Sequence, residues 1–500
     1  MSSISRPAPP HAHDADTLAS LREALLDASF TAERVEAELG THELSSRPAE
    51  TAVHLRRLTA ADPFSTLARL FLLGAVVDGA RVDDALPTVG VEALQRLGLV
   101  EREHRQVRAL VRLVPHGDYV IASDAGRETG EDVPYDYVPG VQAPSVTLAK
   151  LAVRRRCART ADVGTGCGIQ ALIAAKHTER VVATDTNPRA LSFAAFNAAL
   201  NGIGNVELRL VGDGFEPLAG ERFDLIVANP PYVISPDAAH AYRDSGLAAD
   251  ELSRRIVQAA PAHLEEGGFA HVLVSWADTA EGDSAEPLRA WVDGSGCDAW
   301  LLHYRTSDPL THAAGWLQPL SETDARLYAD ALDRWLDHLS ALRIGAIGYG
   351  AVVLRRRSGA RNWIRTDPLP LDRLEPAGEH TLRVFAAQDL LDRLADADLL
   401  ELPLALTAQH RLEQTLSIRS GGFSVEKQTL ELTDGLRFTL GIDWHTASLL
   451  PHFDGRRTLR EVLARAAQTF ELEPSEREGF VPAALPVVRR LLELGFLEAG

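Results

Sequence analysis

From Gly140 onward the hydrophobic period of the chain changes, and apolar runs of strand length begin to alternate with helical stretches. Runs at 160–164, 180–185, 206–212, 223–228, 269–276, 299–305 and 346–355 read as seven strands, with helices between the first five. Successive strand–helix units dictate a largely parallel sheet with helices on both faces, a Rossmann-like α/β domain, because parallel strands need a crossover connection. In open sheets of this kind, ligands bind outside the carboxyl ends of the strands. The residues that terminate the strands are therefore where function is sought first.

Four successive strand ends carry polar or glycine-rich segments. The first ends in Asp162-Val163-Gly164-Thr165-Gly166-Cys167-Gly168 and opens a helix. Its glycines let the backbone turn tightly and approach a ligand lying against the helix N-terminus. The spacing is G-x-G-x-G, with Ile169 where a dinucleotide fingerprint needs its third glycine. The second strand ends in Asp185, followed by Thr186-Asn187-Pro188, and an acidic residue there is placed to accept the hydroxyls of a ribose. The third ends in Gly212-Asp213-Gly214, where an aspartate is placed to accept from an adenine amino group. The fourth, FDLIVA, stops on Asn229-Pro230-Pro231-Tyr232. Two prolines cannot continue a ladder, since each lacks the N–H and fixes φ, so the tetrapeptide is stiff and lies just past the strand.

This order of motifs (DVGTGCG, ATDTNP, GDG, NPPY) resembles the class I S-adenosylmethionine-dependent methyltransferases, and within them the HemK-type and "methyltransferase small domain" group. The resemblance implies that Gly164, Thr165, Gly166 and Gly168 pass close to the methionyl part of S-adenosyl-L-methionine, with Asp162 near its ammonium. It implies that Asp185, with Thr186 and Asn187, binds the ribose end, and that Asp213 and Gly214 lie at the adenine. Asn229 and the Pro230 carbonyl would hold an acceptor nitrogen, with Pro231 stiffening the turn and Tyr232 packing on the acceptor group. S-adenosyl-L-homocysteine would be the product, and no metal is required.

The acceptor class follows from the clamp itself. An amide or aromatic amine is a poor nucleophile because its lone pair is delocalised, and two fixed acceptors for its N–H bonds hold it for attack. The motif narrows the acceptor to a planar nitrogen of a macromolecule. It does not separate a glutamine side chain from an adenine or guanine amino group of RNA or DNA. A donor-binding interaction protein without catalysis is a further alternative, disfavoured by the intact Asn229 and Tyr232.

Charge bears on that choice. The net charge of −19 divides as −8 over residues 1–139, −3 over 140–365 and −8 over 366–500. Phosphate contacts need a positive face, so a protein acceptor is slightly favoured over nucleic acid. The arginine triplets 154–156 and 355–357 would have to converge beside Tyr232 to rim a nucleic-acid path, and solvated charge is their simpler explanation.

The flanks read less sharply. Residues 1–16 are polar and expected to be disordered. Residues 17–139 have short helices followed by a hairpin (107–114 with 119–122) and a polar, acidic linker, a winged-helix-like layout. The candidate recognition helix 91–97 holds one arginine and one glutamate, which argues against DNA reading. Residues 140–365 form the methyltransferase-like domain, with a helical insertion at about 307–345 that would wall one side of the site. Residues 366–500 read as a small α+β domain, possibly a second winged-helix-like module, because LGFLE at 494–498 echoes LGLVE at 97–101. Three cysteines, Cys157, Cys167 and Cys297, form neither a disulfide framework nor a metal cluster. With no long apolar run and no leader pattern, a reduced, cytoplasmic setting is expected, with no membrane partner. Oligomeric state is not legible.

Overall fold

The computed structural model describes residues 7–41, 48–125, 133–210, 214–237, 241–244, 246–279, 285–321, 324–358, 361–419 and 421–500. The chain divides into two compact units, residues 1–148 with 155–368, and residues 149–154 with 369–500.

The first unit is built on a mixed sheet. Its strands in chain order are β1 (Cys157–Val163), β2 (Thr178–Asp185), β3 (Val206–Leu210), β4 (Phe223–Ala228), β5 (Leu264–Asp278), β6 (Cys297–Ser307), β7 (Ala346–Arg356) and β8 (Ile364–Pro368). They lie side by side as β8-β6-β7-β5-β4-β1-β2-β3. Strands β1 to β5 are mutually parallel, while β7 runs antiparallel between β5 and β6. The seven expected strands are present, and β8 makes the sheet eight-stranded rather than seven. This extra strand pairs parallel to β6 at the edge, the place a five-residue segment ending in proline can occupy.

Chain order reverses between β1 and β4, so the two strands diverge in their onward connections and leave a crevice beyond their carboxyl ends. The strands there are apolar on both faces, as parallel strands between two helical layers must be. Val181, Val182, Ala183, Ile226 and Ala228 are all fully buried. Two helices begin at this edge: α1 (Ile169–Ala175) follows the glycine loop, and α2 (Pro188–Leu200) is capped by Asn187 with Pro188 in its first turn. Trp276 belongs to the buried core: it has no exposure and lies over Gly348, where a Cβ would stand 2.1 Å from its ring.

The N-terminal segment shares this core. Leu18, Leu21, Phe30 and Phe71 belong to one apolar cluster with Phe193 and Phe196 of α2. Order begins well before residue 17: the Pro7 carbonyl accepts from Arg189, His11 N–H donates to Leu97, and Asp14 caps the helix Ala15–Asp27. These partners explain why residues 7–16 are fixed where polarity alone predicted disorder; residues 1–6 lie outside the described residues. The predicted strand 107–114 is two strands. Gln106–Ala109 pairs back onto Val100–Glu103, and Val111–His116 pairs with Tyr119–Asp124 in a separate hairpin. Leu110 N–H instead bonds the Leu99 carbonyl, which ends the first ladder.

In the second unit, Gly378–Arg393, Leu459–Thr469 and Pro474–Glu493 are helical. A three-stranded sheet joins His410–Arg419, Gly422–Leu432 and Thr439–Ile442. The 97–101 and 494–498 echo has a common geometry. In each, a helix stops on a left-handed glycine (φ 73° and 75°) whose following N–H reaches back five residues to close a Schellman cap.

Candidate functional site

A cavity of about 510 Å³ opens at the switch point. Donor-side residues on its wall include Gly164, Thr165, Gly166, Asp185, Thr186 and Asn187, joined by Gly214. Asn229, Pro230 and Pro231 line it from β4. Asp213 lies outside the described residues.

The loop after β1 is held from below and from the side. Asp162 is buried and does not reach the wall: its Oδ2 accepts from the Thr165 hydroxyl (2.6 Å) and from the Ala171 N–H (3.0 Å), capping the first turn of α1. Burial pushes its carboxyl up to about 7. Asp185 receives the Gly166 N–H on one oxygen and the Asn187 N–H on the other, both at 2.9 Å. Burial raises this carboxyl also, against backbone hydrogen bonds from Asn187, Gly166 and Thr186. A carboxylate offers about four lone-pair positions, so three backbone donors still leave Asp185 able to accept from a ribose hydroxyl.

The three glycines differ in kind. All have positive φ (77°, 56° and 90°), but a Cβ at Gly164 or Gly166 would meet nothing within 4 Å. At Gly168 it would stand 3.0 Å from the Ala194 Cβ and 3.1 Å from its Cα. Gly168 therefore serves the packing of α1 against α2, while Gly164 and Gly166 leave the cavity open.

At the other wall the asparagines separate. Asn187, Asn197 and Asn201 spend their amides on backbone groups. The Asn229 amide hydrogen-bonds none of the described residues. Tyr232 turns away from the cavity and packs with Ile234, Ile347 and Tyr349, and its carbonyl accepts from the Ser275 hydroxyl. Burial raises its phenol further above the ordinary tyrosine range. The segment continues as an isolated bridge between Val233 and Asp244, and Asp244 is buried, accepting from Ser235 (3.0 Å) and Arg243 (2.8 Å).

The linker contributes wall that the sequence did not suggest. Tyr135, Tyr137, Val138 and Gly140 line the cavity. The Tyr135 carbonyl accepts from Ala241 (3.0 Å), and the Tyr137 and Tyr242 rings lie 5.8 Å apart. Asn187 donates to the Asp136 carbonyl (2.9 Å), and Asp124 accepts from Val138 (2.8 Å) while paired with Arg189 in a nearly dry setting. Two tyrosines and two prolines within PYDYVP were the available signal, outweighed by the acidic residues around them. The arginines that the first unit holds of the two triplets do not line the site. Arg355 and Arg357 bind Asp298, and Arg155 caps the Gly267 carbonyl, all at the edge where the parallel strands begin.

Comparison with known proteins bears on the family. Residues 142–279 match the methyltransferase small domain, and residues 27–110 and 383–499 match two domains of unknown function, DUF7059 and DUF7782. The chain is similar to a release factor glutamine methyltransferase of Geobacter sulfurreducens, 30% identical over 233 residues, covering 40% of this chain and 79% of the relative. It belongs to the HemK-type family of S-adenosylmethionine-dependent methyltransferases. A release factor glutamine methyltransferase of Xylella fastidiosa is 37% identical over 151 residues, covering 27% of this chain and 54% of its own. A ribosomal protein uL3 glutamine methyltransferase of Bradyrhizobium diazoefficiens is 35% identical over 122 residues, 22% of this chain and 38% of its own. The HemK-type chain described here thus spans about half the length of the first curated relatives it matches. Among the described residues there is no helix long and apolar enough to cross a membrane, and no group of His, Cys, Asp or Glu placed to hold a metal.

Proposed function

We propose that this protein is an S-adenosylmethionine-dependent N-methyltransferase acting on the side-chain amide of a glutamine in a protein. The observation that carries the reading is the Asn229 amide, on the cavity wall at the switch point, beside two prolines and without a partner among the described residues. The donor half fits the cofactor: a loop kept open by Gly164 and Gly166 adjoins an Asp185 carboxylate with a lone pair to spare. Bound S-adenosylmethionine supplies an electrophilic methyl group on a sulfonium, which departs with the bonding electron pair.

On this reading the Asn229 side-chain oxygen and the Pro230 carbonyl accept the two N–H bonds of the acceptor. They turn its lone pair out of conjugation towards the methyl. Each hydrogen bond contributes about 0.5–1.5 kcal/mol net. Holding the nitrogen in line contributes far more, up to about 7–11 kcal/mol as effective molarity. The displaced amide proton passes to water. Asp162 acts through the loop it braces, and Tyr232 anchors the turn rather than stacking on substrate.

Two observations support a protein acceptor. The relatives are named for glutamine in release factors and a ribosomal protein. Arg255 is also the one cationic side chain among the described residues of the wall, and Arg155, Arg355 and Arg357 lie at the opposite edge. We assign the N-terminal segment a positioning role, because its linker lines the cavity through Tyr135, Tyr137 and Val138.

The test is transfer of isotopically labelled methyl from the donor into separated cell protein and RNA, followed by mass spectrometry of glutamine peptides. Label on glutamine that disappears with Asn229→Ala is expected. Label confined to RNA, or an unimpaired Asn229→Ala protein, would overturn the assignment.

A further inference from the structure

Between β6 and β7 the chain inserts two helices, α3 (Pro309–Ser321) and α4 (Ala325–Ala341), and these grip the segment that leaves Asn229–Tyr232. His312 of α3 is buried, with Nε2 2.7 Å from the Ile234 carbonyl and Nδ1 bonded to the Tyr349 hydroxyl. A carbonyl can only accept, so Nε2 carries the hydrogen and Nδ1 accepts from the phenol. Burial pushes this imidazole down to about 4, so it is neutral near pH 7. From α4, Trp335 Nε1 donates to one oxygen of Asp237 (2.8 Å) and Arg334 donates to the other (3.0 Å). Val233 packs among Ala313, Leu317 and Trp335. The Arg243 guanidinium lies 5.9 Å from the Trp335 ring and binds Asp244 on the cavity wall.

Residues 233–237 are thus tied to the insertion by three hydrogen bonds and an apolar contact. We propose that the insertion is the positioning scaffold of the acceptor side, with His312 and Asp237 as positioning residues that set where the rigid Asn229–Pro231 turn stands. The proposal rests on the N-methyltransferase reading for its catalytic consequence, and on the contacts alone for its structural one. The donor loop is held by a separate set, Asp162, Asp185 and Asn187, none of which hydrogen-bonds a described residue of the insertion. Loss of an insertion contact should therefore degrade methyl transfer while leaving the donor half intact. A displacement of about 1 Å at the reacting atoms costs on the order of a hundred-fold in rate.

The experiment uses full-length His312→Phe, Asp237→Ala and Asp237→Asn proteins. Hydrogen exchange of a peptide spanning residues 229–237 reports the position of the turn, calorimetry with S-adenosylhomocysteine reports the donor half, and kcat is measured with the acceptor from the labelling experiment. Expected are faster exchange in that peptide, kcat lowered by about ten-fold to a hundred-fold, and donor affinity within about two-fold of wild type. Asp237→Asn should recover part of the loss, since one oxygen survives. Asp237, partly exposed, guards against a His312→Phe protein that fails to fold. Unchanged exchange, faster exchange with unchanged kcat, or donor affinity falling in step with kcat would each overturn the proposal. If exchange rises but wild type methylates nothing, the scaffold stands and the functional reading fails.

Discussion

The glycine loop offers a test in which two chemically identical substitutions are expected to fail in different ways. Gly168→Ala places a Cβ 3.0 Å from the Ala194 Cβ and 3.1 Å from its Cα, with the Leu172 side chain at 3.3 Å. The backbone stands at φ 90°, where an L-residue costs about 1–2 kcal/mol. Ala194 belongs to a helix packed into the core, so it yields little, and overpacking adds about 1–3 kcal/mol. The sum is a loss of about 2–5 kcal/mol in folding stability. Gly164→Ala carries the same φ cost of about 1–2 kcal/mol but no steric term, since its Cβ meets nothing within 4 Å. That new methyl instead occupies space on the cavity wall. Urea denaturation should rank Gly168→Ala as clearly the less stable, and calorimetry should show the larger loss of S-adenosylhomocysteine affinity in Gly164→Ala. Equal stability losses, or normal donor affinity in Gly164→Ala, would refute the division of labour between the glycines.

The remaining predictions are briefer. Asn229→Ala should lower kcat by about a hundred-fold to a thousand-fold, by analogy with loss of a preorganised polar contact, while calorimetric donor affinity stays unchanged. Asp124→Ala leaves Arg189 nearly dry and unpaired, and should cost about 3–5 kcal/mol in chemical denaturation. Asp162 titrates at about 7 in the folded chain against 3.8 as its ordinary value. The folded state therefore holds the proton more tightly, and this contribution to stability, complete below about pH 4, is lost as pH rises through about 7. Asp162→Asn should abolish that decline, seen as a smaller fall in denaturation midpoint between about pH 5 and about pH 8 than wild type shows.

How much of this was legible beforehand varied with the range of the interactions involved. The strand ends were readable because each motif is a local device. Asn187 before Pro188 caps a helix from its own neighbourhood, and Pro230-Pro231 stop a strand whatever surrounds them. The short edge strand β8 was not readable, since IRTDP becomes a strand only through its ladder to β6. Nor was the order at residues 7–16, which depends on Arg189 and Leu97 far along the chain.

The sequence alone determined the α/β alternation, the strand ends and the residue types they carry, because hydrophobic period, proline and glycine act within a few residues. Tertiary structure alone decided which of those residues face the cavity. It turned Asp162 and Tyr232 inward, left the Asn229 amide unspent, set Arg155, Arg355 and Arg357 at the opposite edge, and made a polar linker into wall. Asp162 is satisfied within nine residues of itself, but the other outcomes depend on partners tens of residues or more apart, and a one-dimensional pattern does not carry that information.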